Sequence, residues 1–214
     1  MADYTDLPDT AVGIGGIPSG TTVTALRDNP IAIAERAVGA PKVQSDFQFL
    51  EQIVITSGDA SADFTAFDNT QFKSYKFVFE AVKPTTDGIS LLARTSTDAG
   101  VSFDSGASDY QYRIFPDNTA GAATTTSGII ICSVTGNAAT DYGFHSELHL
   151  TGAVGGVYAG LTGRGLTANT VGTLGSQDFV GARDSTTAID AIRFEPPTGT
   201  LLSGVITMYG LRND

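Results

Sequence analysis

"LLSGVITMYGLRND", residues 201–214, reads as a strand with apolar residues on both sides of its pleat. Val205, Thr207, Tyr209 and Leu211 fall on one side; Ile206, Met208 and Gly210 fall on the other. A strand that is apolar on both sides is expected to be buried, and a buried strand needs neighbours. The segment 204–211 is therefore predicted to return beside an early strand, such as one over residues 49–56, and to seal a sheet. Gly210 is expected to mark a bulge or a close-packing site, where a β-carbon would clash.

Working back from this segment, similar short runs occur near residues 49–56, 72–82, 89–95, 110–115, 129–134, 144–151, 157–162, 178–183 and 188–194. Two of them alternate clearly. "SYKFVFEAV" (74–82) places Tyr75, Phe77, Phe79 and Ala81 together. "GFHSELHLT" (143–151) places Phe144, Ser146, Leu148 and Leu150 together, with His145, Glu147 and His149 opposite. Between the runs stand turn signals such as "PTTDG", "TDAG", "FPDN" and "TGN". About ten short strands with no long helical pattern predict an all-β fold: an antiparallel β-sandwich, of jelly-roll or related type.

Composition agrees with that class. The chain has 214 residues, 41% hydrophobic, with 25 Gly but only four Lys and five Glu, so little of it suits a solvated helix. A net charge of −11 opposes binding to nucleic acid or to anionic membranes. No stretch approaches the roughly 18–20 apolar residues of a membrane helix, and no membrane insertion is expected. "MADYTDLPD" is acidic and lacks an apolar core, so it does not read as a signal peptide, and folding in the cytoplasm of the producing cell is expected. The single cysteine, Cys132, lies in the apolar run "GIIICSV" and reads as a buried free thiol.

A boundary is expected near residue 45. All twelve Phe and six of the seven Tyr lie at or after Phe47, and only Tyr4 precedes it. A segment so poor in aromatics cannot build its own core. Residues 1–45 are therefore read as an arm, and 46–214 as the sandwich domain. "TDLPDTAVGIGGIPSGTT" (5–22) suits an extended chain. In "LRDNPIAIAERAVGAPKV" (26–43), Asp28 or Asn29 can cap, Pro30 suits a first helical turn and Gly39 a stop, which allows a short helix over 30–38. The alternation of Ile31 and Ile33 with Ala32 and Ala34 suits an extended arm as well. Its apolar residues need a partner surface, either the arm's own domain or another protein. Arg27, Arg36 and Lys42 would suit an acidic partner.

Catalytic motifs are largely absent. "GRGLTA" (163–168) matches a dinucleotide fingerprint by letters but lacks the strand–helix context. "GDASADF" places Asp59, Ser61 and Asp63 like the start of a calcium loop, yet Phe64 and Thr70 stand where glycine and glutamate are needed. The most pointed constellation is His145, Glu147 and His149. On a strand their Cβ atoms stand about 7 Å apart on one side, close enough to converge on a metal. A solvated face or a subunit interface explains the same pattern without a metal, and no cofactor is expected.

Three stretches carry a family resemblance: 26–43; "FLEQIVITSGDASADFTAFDNTQFKSYKFVFEAVKPTTDGISLLARTSTDAG" (49–100); and "SGVITMYGL" (203–211). They resemble small virion proteins of tailed bacteriophages, in which an Asp-Asn-Pro-x-Ala-x-Ala arm and Gly-Ala-Pro precede a β-sandwich. Arg36 departs from the glycine of that arm and makes a tight turn there less apt than a short helix. The resemblance covers roughly half of the chain. It implies a non-enzymatic structural or adhesive protein: a tail fibre or receptor-binding protein, or a head spike or decoration. The arm, through Arg27, Pro30, Ile31, Ile33, Arg36, Pro41 and Lys42, would anchor it to other virion proteins. The sandwich would face a host surface glycan or protein, and a homotrimer is expected.

Two other classes are weighed beside this one. A small glycan-degrading depolymerase on a sandwich scaffold is the alternative, since 23 acidic residues offer many carboxylate pairs and none stands out. A cellular carbohydrate-binding module would ordinarily expose Trp, which this chain lacks.

Overall fold

Alternating apolar residues give the strands their two unlike faces, and the way those faces pair defines the architecture. The computed structural model describes residues 47–116, 124–168 and 174–212. The chain divides between Asp46 and Phe47. The arm, with its anchoring residues Arg27, Pro30, Ile31, Ile33, Arg36, Pro41 and Lys42 and its choice between helix and extended chain, lies outside the described residues.

Twelve strands follow in order: β1 (Gln48–Ile55), β2 (Ala62–Phe64), β3 (Phe72–Pro84), β4 (Ile89–Ser96), β5 (Tyr110–Pro116), β6 (Thr124–Thr126), β7 (Ile129–Thr135), β8 (Phe144–Thr151), β9 (Gly160–Ala168), β10 (Leu174–Arg183), β11 (Ala191–Glu195) and β12 (Leu201–Arg212). They form an eight-stranded sheet, β1-β12-β3-β8-β9-β10-β5-β6, and a four-stranded sheet, β2-β11-β4-β7. All pairings are antiparallel.

The pairs β1·β12 and β3·β8 in one sheet, and β2·β11 and β4·β7 in the other, have a simple origin. They are what one long eight-stranded antiparallel hairpin gives when it is rolled up, first strand against last and second against next to last. That is a jelly roll. The other four strands are insertions. β5 and β6 interrupt the hairpin tip between β4 and β7, and β9 and β10 intervene between β8 and β11. Both insertions extend the large sheet beyond β8. The C-terminal strand lies between β1 and β3, beside the early strand expected from its sequence.

The core lies between the sheets. Phe64 and Phe194 of the small sheet, 6.0 Å from each other, meet Phe77 and Phe79 of the large one, with ring centroids 4.8–5.4 Å apart in edge-on arrangements. Phe79 also meets Phe144 at 5.5 Å. Each such buried side chain contributes about 1.5–3 kcal/mol. Tyr75 lies in this layer but keeps a polar tip. Its hydroxyl accepts from the Asp68 N–H and donates to Asn69 Oδ1, both at 3.0 Å, which pins the β2–β3 turn. Burial pushes its phenol up to about 12. Tyr110 ties the β4–β5 loop to β4: its hydroxyl takes the Thr95 N–H at 2.7 Å and donates to the Asp104 carbonyl at 3.2 Å, and burial raises its pKa.

Three expectations need correction. Ala81 does not join Tyr75, Phe77 and Phe79, because a register shift between Phe79 and Val82 and a φ of 52° at Ala81 turn the strand, so Val82 enters the core instead. The strand expected at 157–162 begins at Gly160, and Val157 and Tyr158 stand exposed in the loop before it. β12 is not buried on both sides. Ile206 and Met208 are fully buried, while Val205 and Tyr209 are half-buried and Leu211 is exposed, because they face outward.

Candidate functional site

The two outer faces of the sandwich differ in how their side chains are used. On the small sheet they are consumed by one another. Arg193 of β11 grips Asp63 of β2 through two bonds, Nε–Oδ1 at 2.8 Å and Nη2–Oδ2 at 2.6 Å. The Phe103 ring covers the same guanidinium at 4.1 Å. Burial pushes the Asp63 carboxyl up, but the bonds from Arg193 and Ser61 and the charge of Arg193 together outweigh it and hold the group below its ordinary value. Beside them Arg94 pairs with Glu195. This face is closed by its own ion pairs.

The small sheet's edge at β7 is closed too. Gln177 of β10 takes the Ser133 N–H on its Oε1 and returns its Nε2 to Ser133 Oγ, both at 2.8 Å. Thr167 of β9 donates to the Val134 carbonyl at 2.8 Å. Side chains of the inserted strands thus occupy the groups an added strand would need.

Among the described residues the outer face of the large sheet is open. Registered pairing sets Phe49, Tyr209, Lys76, His149 and Thr162 in one row across β1, β12, β3, β8 and β9. The Phe49 and Tyr209 rings meet edge-on at 6.2 Å, with Phe49 56% exposed. Phe47 lies over the same face, its ring 5.2 Å from Lys76 Nζ and 6.5 Å from the His149 ring. The next row alternates in charge. Glu147 binds Lys76 at 2.8 Å and lies in register with Arg164, which binds Asp178 at 3.2 Å. Exposed pairs of this kind contribute little stability, about 0–1 kcal/mol each. Their effect is to make the face electrically balanced in a chain of net charge −11.

His145, Glu147 and His149 do share one side of β8, as their spacing predicts. They do not converge. Glu147 is held by Lys76, and His149 lies beside Phe47. His145 Nε2 lies 2.9 Å from the Tyr142 carbonyl, which can only accept, so that nitrogen carries the proton and points no lone pair outward. Among the described residues no group of three or more His, Cys, Asp and Glu is placed to hold a metal ion.

Other singled-out residues have local roles. Asp59 caps its own turn by accepting from the Thr56 N–H at 2.7 Å, apart from Asp63 in its ion pair. Cys132 is fully buried, its sulfur 2.9 Å from Thr135 Oγ1, and burial pushes its thiol up. Gly163 and Gly165 of "GRGLTA" sit on the inner side of β9. A β-carbon there would meet Phe179 at 2.4 Å and Phe144 at 2.6 Å. These glycines make room for core rings.

Inside the sandwich, Thr95, Leu161, Arg183 and Ile189 are among the residues lining a cavity of about 10 Å³, the space of one water and far below that of a sugar ring. No protein-family model, curated protein or solved structure matches the chain. The aromatic pair on the large sheet was missed by reading the sequence, because Phe49 and Tyr209 lie 160 positions apart. The signal was the outward side of the last strand, where Tyr209 stands opposite Met208.

Proposed function

We propose that this chain is a non-enzymatic structural protein of a bacteriophage virion, assembled in the host cytoplasm. Its N-terminal arm joins it to other virion proteins, and its jelly roll is displayed outward for attachment to a host surface or as a decoration of the head. The observation that carries the reading is the outer face of the large sheet, which among the described residues is open, aromatic at one end and balanced in charge. It suits surface contact rather than enclosure of a substrate. The jelly roll is a scaffold used in viral capsid and lectin domains, which supports the reading by analogy of fold. The virion resemblance of residues 26–43, 49–100 and 203–211 supports it from the sequence.

Display in several copies follows from the same reading, with a homotrimer as the expected form, since weak contacts made together gain about 10²–10⁴ in apparent affinity. Electron microscopy of purified particles with gold-labelled antibody to the chain should place label at regular positions on head or tail. Particles free of label overturn the reading. Release of sugar from host capsule by the purified protein would instead favour a depolymerase.

A further inference from the structure

We infer that the aromatic end of the large sheet's outer face is a binding platform for a neutral oligosaccharide. The inference deepens the adhesive part of the proposed function and rests on it. Three rings, Phe47, Phe49 and Tyr209, gather on one part of this face, with Phe47 and Phe49 39% and 56% exposed. Exposed aromatic clusters on a folded domain mark interaction surfaces. Lys76 and His149 in the same row and Gln52 in the next interrupt the apolar area, which Leu211 extends on the other side, so it lacks the broad continuous apolar centre of a protein–protein contact.

What it offers is amphipathic at the scale of a few sugar rings. Ring faces suit the C–H side of a sugar. Gln52, exposed on the adjoining row and held by its Nε2 to the buried Thr207 Oγ1 at 3.1 Å, retains its carbonyl oxygen and a second N–H for hydroxyl groups. Charge decides between sugar classes. Beside the rings the cation is Lys76, and it is taken up by Glu147, as Arg164 is by Asp178; the exposed Arg113 ends the same row on β5, five strands from Tyr209 and out of reach of a sugar seated on the rings. A chain of net charge −11 adds a general repulsion of anionic glycans.

The test is an array of immobilised neutral hexose and N-acetylhexosamine oligomers beside uronic-acid and sulfated ones, probed with the full chain and with Phe49→Ala and Tyr209→Ala. Melting curves of each variant check folding. The expected result is binding to neutral members, weakened at least tenfold in both variants. Should either variant melt early, Gln52→Ala supplies the comparison, with a loss of threefold or more expected. Binding confined to anionic members, binding unchanged by the substitutions, or no binding to any neutral member overturns the inference. Particle labelling is read separately. Labelled particles with an empty array leave the virion role standing and remove only the glycan platform.

Discussion

Gly210 of β12 lies against the ring of Phe72 of β3, whose Cγ and Cδ1 would stand 2.6 Å from a β-carbon at position 210. Phe72 is 2% exposed and has no room to swing aside. The glycine expected to mark a bulge or close packing is thus a close-packing site. Gly210→Ala should cost about 1–3 kcal/mol by overpacking, lowering the Tm by roughly 2–12 °C for a domain of this size. An unchanged melt by circular dichroism would show that Phe72 can move.

The β7 edge yields a second expectation. Gln177→Leu leaves the Ser133 N–H without its 2.8 Å acceptor in a buried setting. The loss should be about 1–3 kcal/mol, with more light scattering on heating because the strand edge is unguarded. A variant that melts and stays clear like the parent would mean that water replaces the amide.

Acid should weaken the fold below pH 4. Asp63, Asp68 and Asp98 all have lowered pKa values. For Asp98, bonds from Ser102 and then Ser96 bring it to about 2. A depressed folded pKa gives stability that is present above the unfolded value near 3.8 and lost as pH falls through the folded one. The Tm should therefore be flat from pH 7 to 5 and drop between pH 4 and 2. A flat profile down to pH 2 would contradict these assignments.

Alkali should act through the tyrosines. Tyr75 is raised to about 12, and Tyr110 is raised as well, each first by burial. A raised folded pKa gives stability that is full below the unfolded value near 10 and lost as pH rises toward 12. Tyr75→Phe, which also removes the bonds to Asp68 and Asn69, should lose about 1–2 kcal/mol at pH 7 yet melt less steeply with pH above 10. An identical alkaline slope would remove Tyr75 from this account.

The last strand can be tested by truncation. β12 lies between β1 and β3. Deleting residues 203–214 removes Ile206 and Met208 from the core and detaches β1, so insoluble or unfolded protein is expected. Deleting 212–214 should be nearly silent. A soluble 203–214 deletion with the parental Tm would contradict the topology.

Strands with strict alternation were legible. Phe144–Thr151 matches its run in "GFHSELHLT", because three of its four inward side chains, Phe144, Leu148 and Leu150, are large and apolar and the outward ones are polar. β2 and β6, three residues each, were not legible, since so short a strand is defined by its neighbours. Asp63 looks like turn chemistry until Arg193 is set across from it. The true extent of β9 was hidden for a similar reason: Gly163 and Gly165 read as loop residues until Phe179 and Phe144 need the space. That His145, Glu147 and His149 share one side followed from spacing. That they do not converge depends on Lys76, Tyr142 and Phe47, which no spacing rule brings near.

Gln48 of β1 stands opposite Gly210 of β12, so residues 47 and 212 leave the domain at one end, on adjacent strands. Force applied between those two points would open the strands like a zip, one hydrogen bond at a time. Force applied between residue 47 and the far loop at 196–200 would run along the strands and load many hydrogen bonds together. The same domain is therefore weak when pulled by its two ends and strong when held at residue 47 and loaded from the opposite tip.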